Sequence, residues 1–107
     1  MNKKEFKNYI SKHIKTELKD FFNIYTDEII PDYFFEIPAS SSGKYHPKIS
    51  LGNGGVVRHT VFAVDLALEL FRVYNFTDIE KDIIVISLAI HDTFKSGITN
   101  EKSVMNC

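Results

Sequence analysis

The residue types that can do chemistry gather in two places. His91 and Asp92 close the longest strongly apolar run of the chain, the eight residues Ile83 to Ile90. An imidazole and a carboxylate at the end of a buried segment are costly unless hydrogen bonds, a partner charge or a metal ion compensate them. His59 stands 32 residues upstream, at the start of another periodic segment and on its apolar side. If the two segments are helices packed antiparallel, the start of one lies beside the end of the other, and His59 meets His91 and Asp92. Two imidazoles and a carboxylate form a borderline-to-hard donor set that suits manganese, iron, cobalt, nickel, zinc or magnesium. A structural zinc site would usually supply cysteines, and here the only cysteine is Cys107. The plainer alternatives are a hydrogen-bonded pair capping a helix C-terminus, where the dipole favours an imidazolium, and a satisfied core histidine at position 59.

The elements that must position these groups are helical. Phe6, Tyr9, Ile10, Ile14, Leu18, Phe21, Phe22 and Tyr25 recur at three- and four-residue steps, which predicts one amphipathic helix from about Lys3 to Tyr25. Its six lysines read as a solvated face, since acids interleave and no arginine joins them. Residues 31–55 hold Pro31, Pro38, Pro47, a Ser-Ser-Ser-Gly run and Gly52-Asn53-Gly54-Gly55, and so read as a long loop. A second helix is expected from Val56 to about Tyr74, with His59, Phe62, Ala63, Leu66, Leu70 and Val73 on one face. Asp65, six residues from His59, points about 240° away from it and cannot share that face. Thr77-Asp78-Ile79-Glu80 has the form of a capping box and opens a third helix, Asp78 to His91, apolar all round and expected at the centre of the core. A buried strand over the same β-branched run is the structural runner-up.

Composition narrows the class. The chain has 107 residues, 13 basic against 14 acidic, a net charge of −1, 44% hydrophobic and 25% charged residues. That suits a single ordered domain, residues 1–107, and excludes a generally basic nucleic-acid coat. A lone terminal cysteine excludes an intrachain disulfide. No apolar stretch follows the basic start MNKKEFKNYI, and no run approaches the ~20 residues of a membrane span, so the expectation is a cytoplasmic protein with no membrane partner.

Two segments carry a family resemblance: Gly54-Gly55-Val56-Val57-Arg58-His59-Thr60, and Ser87-Leu88-Ala89-Ile90-His91-Asp92-Thr93-Phe94-Lys95-Ser96-Gly97. The Gly-Gly-x-x-x-His-Thr opening and the His-Asp-x-x-Lys-x-Gly closing, at this separation, resemble the HD-domain superfamily of metal-dependent phosphohydrolases. The resemblance covers roughly residues 45–97. It implies an all-α, HD-domain-like helical bundle in which residues 56–97 form the metal-site helices, with His59, His91 and Asp92 as metal ligands. It further implies hydrolysis of a nucleotide or nucleic-acid phosphoester by metal-hydroxide attack, with Asp92 orienting the water. Lys95 would lie near a phosphate oxygen as a point charge, and Gly54 and Gly55 would open the helix so that its first amides favour an anion. Tyr45-His46-Pro47 resembles the histidine-bearing loop of exonuclease-like members, making His46 a candidate for phosphate contact or an outer ligand.

The pattern departs from the family in two ways. Thr93-Phe94 replaces the commoner Ile-Gly after the doublet. The family's distant final Asp has no counterpart, since 15 residues follow Asp92 and their only acid is Glu101. The sequence therefore reads as the front half of such a domain: a piece of a longer protein, a natural truncation, or one part of a shared site. The alternative function is a catalytically incomplete fragment that binds a nucleotide or a protein, as a homo-oligomer or under a partner that covers the missing half. Exposed apolar surface would favour that alternative.

Overall fold

The computed structural model describes residues 1–37 and 53–94. Their elements run α1 (Lys3–Ser11), α2 (Leu18–Glu28), a 3-10 turn (Asp32–Phe35), α3 (Gly55–Leu70) and α4 (Asp78–Ile90). The described residues contain no strand, so the all-α expectation holds and the strand alternative for residues 83–90 falls. None of these helices is long and apolar enough to cross a membrane.

The first segment is two helices rather than one. α1 opens on a capping box, in which Asn2 Oδ1 accepts the Glu5 amide at 2.8 Å and Glu5 Oε1 accepts the Asn2 amide at 2.9 Å. It ends near Lys12, and the chain turns back into α2. The cause is Asp82, on α4 and fully buried. Its carboxylate accepts the amide of Lys15 at 2.8 Å and that of Thr16 at 2.7 Å, drawing both N–H groups out of the helical ladder. Thr16 Oγ1 then accepts the Leu18 amide at 3.2 Å as α2 begins.

α1 and α2 lie antiparallel, with Lys7 Nζ donating to Asp27 Oδ1 at 2.9 Å and Lys3 Nζ donating to the Ile30 carbonyl at 2.7 Å. Folding back brings the Phe6 ring within 6.1 Å of Phe22, while the 3-10 turn sets Phe34 at 5.5 Å and Phe35 at 5.6 Å from it. These rings, Ile10, Ile14, Val56, Val57, Val64, Val85 and Ala89 make one core. Edge-on aromatic pairs of this kind add about 0.5–1.5 kcal/mol each beyond area burial.

Periodicity misjudged which side of α3 is inside. The buried residues are Val56, Val57, Thr60, Val64 and Ala67, whereas Leu66 and Leu70 are each 52% exposed and Val73 73%. The expected apolar face, with Phe62 at its middle, points outward. Both sides of the helix carry apolar residues, and the smaller β-branched ones fit against α4. The helix also ends at Leu70, short of Tyr74. α4 is not apolar to its environment all round either: Asp82, Val85, Ile86 and Ala89 face inward, and Ile79 and Ile83 are about half exposed. Its capping box forms as expected, Glu80 N to Thr77 Oγ1 at 3.2 Å and Thr77 N to Glu80 Oε1 at 2.8 Å.

Asp65 has a structural task. It accepts the phenol hydroxyl of Tyr9, tying α3 to α1, and this bond, burial and the carboxylate charge push the Tyr9 phenol up to about 12.

Two outcomes check this account. Asp82→Ala leaves two part-buried amides without their acceptor and should cost about 2–3 kcal/mol in urea unfolding; a loss under about 1 kcal/mol would show that the α1–α2 turn does not depend on it. Between pH 10 and 12 the unfolded chain loses the Tyr9 proton while the native state keeps it, so this contribution to stability falls as pH rises through that window. Tyr9→Phe should therefore show a shallower stability decline there than the parent protein.

Candidate metal centre

α3 and α4 pack antiparallel, as the short turn between them requires, so the first turns of α3 meet the last turn of α4. The rings of His59 and His91 stand 6.5 Å apart, centroid to centroid. One donor atom from each of His59, His91 and Asp92 lies within 4.8 Å of the others. His59 and Asp92 are half-buried and His91 is exposed, so the cluster sits in the rim of the bundle.

Three local features set this geometry. At the start of α3, Gly54 adopts φ +75°, a left-handed conformation that side chains rarely accept. A Cβ there would also come within 3.1 Å of Arg58 Nη1 and 3.4 Å of the Phe35 carbonyl. The Gly54 amide donates to the Glu36 carbonyl at 3.0 Å and the Val56 amide to the Ile37 carbonyl at 2.9 Å, so two of the amides expected to attract an anion instead fasten α3 to the 3-10 turn. At the end of α4, His91 Nδ1 lies 2.6 Å from the Leu88 carbonyl oxygen. Beyond the doublet, buried Thr93 donates its hydroxyl to the Ile90 carbonyl at 2.8 Å and meets Tyr25 Oη at 2.9 Å, which closes the chain against α2.

A carbonyl oxygen can only accept, so this contact is a hydrogen bond in the tautomer with the hydrogen on Nδ1, which leaves Nε2 turned to Asp92. Nε2 lies 3.0 Å from Asp92 Oδ2. A bare imidazole lone pair facing a carboxylate at that distance is repulsive, and the pair is favourable only with positive charge between the two atoms, a proton or a metal ion. A backbone carbonyl holding the far nitrogen of a histidine is also the arrangement that orients such side chains toward metals. Two donors about 2.1 Å from one ion stand roughly 3.0–4.2 Å apart. The His91–Asp92 pair already meets that spacing, and the trio, whose donors lie within 4.8 Å of one another, must draw together to reach it. The donor set therefore fits a divalent cation that completes its coordination with water or substrate oxygens.

Thr60, next to His59, turns into the core, where its hydroxyl is buried and has no hydrogen-bond partner among the described residues. Lys95 and His46, the two candidates for phosphate contact, lie outside the described residues, as does Glu101. At the opposite end of the α3–α4 pair, Lys12, His13, Lys15, Arg72 and Lys81 surround a cavity that no sequence motif announces. Its charges come from the α1–α2 turn, the α3–α4 turn and α4 and never form a run. Asp82 was also missed, although a carboxylate one residue before an apolar run is a signal of the same kind as His91-Asp92.

No protein-family model matches the chain, and neither does any curated protein or solved structure. The site's geometry stands by itself.

Gly54→Ala should lower stability by about 1–2 kcal/mol through the left-handed strain alone, and should shift the His59 imidazole resonances in NMR spectra. Unchanged stability would show that the α3 start does not need its glycine.

Proposed function

We propose that the chain is a metal-dependent phosphohydrolase of the HD type, acting on a nucleotide or nucleic-acid phosphoester. The observation that carries this reading is the convergence of His59, His91 and Asp92 from two helices, with the far nitrogen of His91 held by the Leu88 carbonyl. The two-motif resemblance and the all-α fold support it further. A divalent cation held by these three residues would supply an acidified water as nucleophile and neutralise developing charge on the phosphate. Asp92, half-buried beside His91, would orient that water through a carboxylate oxygen, and the exposed position of His91 leaves the rim open to a phosphoester. Lys95, three residues after Asp92, would steady a phosphate oxygen. A cytoplasmic location accords with a reaction on nucleotides.

A second reading has its own observation. Phe62, Leu66 and Leu70 form an exposed apolar stripe on α3 in register with His59, and exposed Val73 follows just beyond the helix. Such a stripe supports the alternative of a catalytically incomplete fragment that binds a protein or a nucleotide.

Metal content by elemental analysis, beside a His91→Ala/Asp92→Ala double variant, separates the two. Near-stoichiometric transition metal in the parent and its loss in the variant are expected, followed by phosphoester hydrolysis in a substrate screen. No metal in either protein, after reconstitution with manganese, iron or nickel, would leave the binding module as the surviving reading.

A further inference from the structure

The cavity at the far end of the α3–α4 pair has a volume of about 250 Å³. Its wall carries four cationic side chains, Lys12, Lys15, Arg72 and Lys81, and no carboxylate. In a chain with a net charge of −1, four like charges brought together by three separate segments oppose folding, and their concentration is a feature of the site rather than of the composition. The acids nearby are engaged elsewhere. Asp65 accepts the Tyr9 hydroxyl, Asp82 accepts two backbone amides, and Glu69 reaches Arg72 only at 3.5 Å with both side chains largely exposed, a pair that contributes little. Asp78 and Glu80 stand in the first turn of α4 and do not line the cavity.

Two of the cations are held over aromatic faces instead of carboxylates. Lys12 Nζ lies 4.7 Å from the centre of the Tyr9 ring and Lys81 Nζ 5.9 Å from that of Phe71. Phe71 and Leu68 give the cavity an apolar part of its wall. His13 completes the lining, and its Nε2 is buried with no hydrogen-bond partner. The volume is below the ~300 Å³ at which drug-sized sites begin, so a compact ligand is called for.

We propose that this cavity binds an oligophosphate group, two or three linked phosphoryl units, with Lys12, Lys15, Arg72 and Lys81 as its counter-charges and His13 in its wall, near enough to sense the bound charge. An oligophosphate carries three to four negative charges in one small volume, which matches four cations around one cavity; an acidic peptide spreads the same charge over a longer reach. The site is separate from the metal cluster. Lys81 and His91 are ten positions apart along α4, about 15 Å along the axis.

The test uses the metal-free 107-residue chain in EDTA, with inorganic pyrophosphate and inorganic triphosphate as probes, followed by titration calorimetry. Saturable one-to-one binding is expected, weakened at least about tenfold in Lys15→Gln/Lys81→Gln and severalfold in Arg72→Gln, an exposed position whose replacement leaves the core intact. His59→Ala should bind as the parent does. A second readout is His13, whose imidazole is held below its ordinary range by burial first and then by Lys12, with Asp65 opposing and Lys15 adding a smaller push in the same direction as Lys12. A bound anion stabilises the imidazolium, so the His13 titration followed by NMR should move upward on adding triphosphate. Absence of saturable binding, equal affinity in the lysine double variant, loss of binding in His59→Ala, or an unmoved His13 titration would each overturn the proposal.

Discussion

The carboxylate of Asp82 is removed from water and compensated by two backbone amides, those of Lys15 and Thr16. Most of the architecture follows from satisfying that one group. Its demand for donors ends α1, reverses the chain, and sends α2 back so that Phe22 reaches Phe6. It also fixes the rotation of α4. With residue 82 turned inward, helical geometry puts Val85, Ile86 and Ala89 inward too and aims His91, nine residues on, about 180° away. The exposed histidine at the rim and the buried aspartate at the α1–α2 turn are thus two ends of a single rotational setting.

How much of this was legible in the sequence depends on the range of the physics involved. Short-range signals carried through. The Thr77–Glu80 box is a four-residue matter and formed as read, and the convergence of His59 with His91 and Asp92 needed only two helices and a short turn. The break at residues 12–17 was invisible because Ile10, Ile14 and Leu18 keep a four-residue spacing across it, and the cause lies on α4, far along the chain. The inside of α3 was misjudged for a different reason. Phe62, Leu66 and Leu70 are the larger apolar residues, but Val56, Val57 and Val64 have the compact shape that lets two helices approach closely. Periodicity shows that a helix has two faces; which face a neighbour prefers is a question of shape.

Charge is segregated along the α3–α4 pair. One end gathers two imidazoles and a carboxylate, the other four cations around an apolar wall. Since the whole chain is nearly neutral, neither end shows in a composition or in any run of like residues. The contrast arises only when the antiparallel packing sorts residues by height in the bundle, and the apolar stripe of α3 runs along the outside between the two ends.

The bonds from His91 Nδ1 to the Leu88 carbonyl and from the Thr93 hydroxyl to the Ile90 carbonyl bracket Asp92 on both sides. A side chain fixed before its ligand arrives has little rotamer freedom left to lose, and ordering each freely rotating polar side chain otherwise costs on the order of 1 kcal/mol. Were a cation to enter, a doublet held in this way would respond to its size: an ion whose preferred bond lengths span the gap would be favoured, and one that needs the arms to spread would have to deform the helix end. Discrimination at such a rim would be a matter of stiffness as much as of donor chemistry.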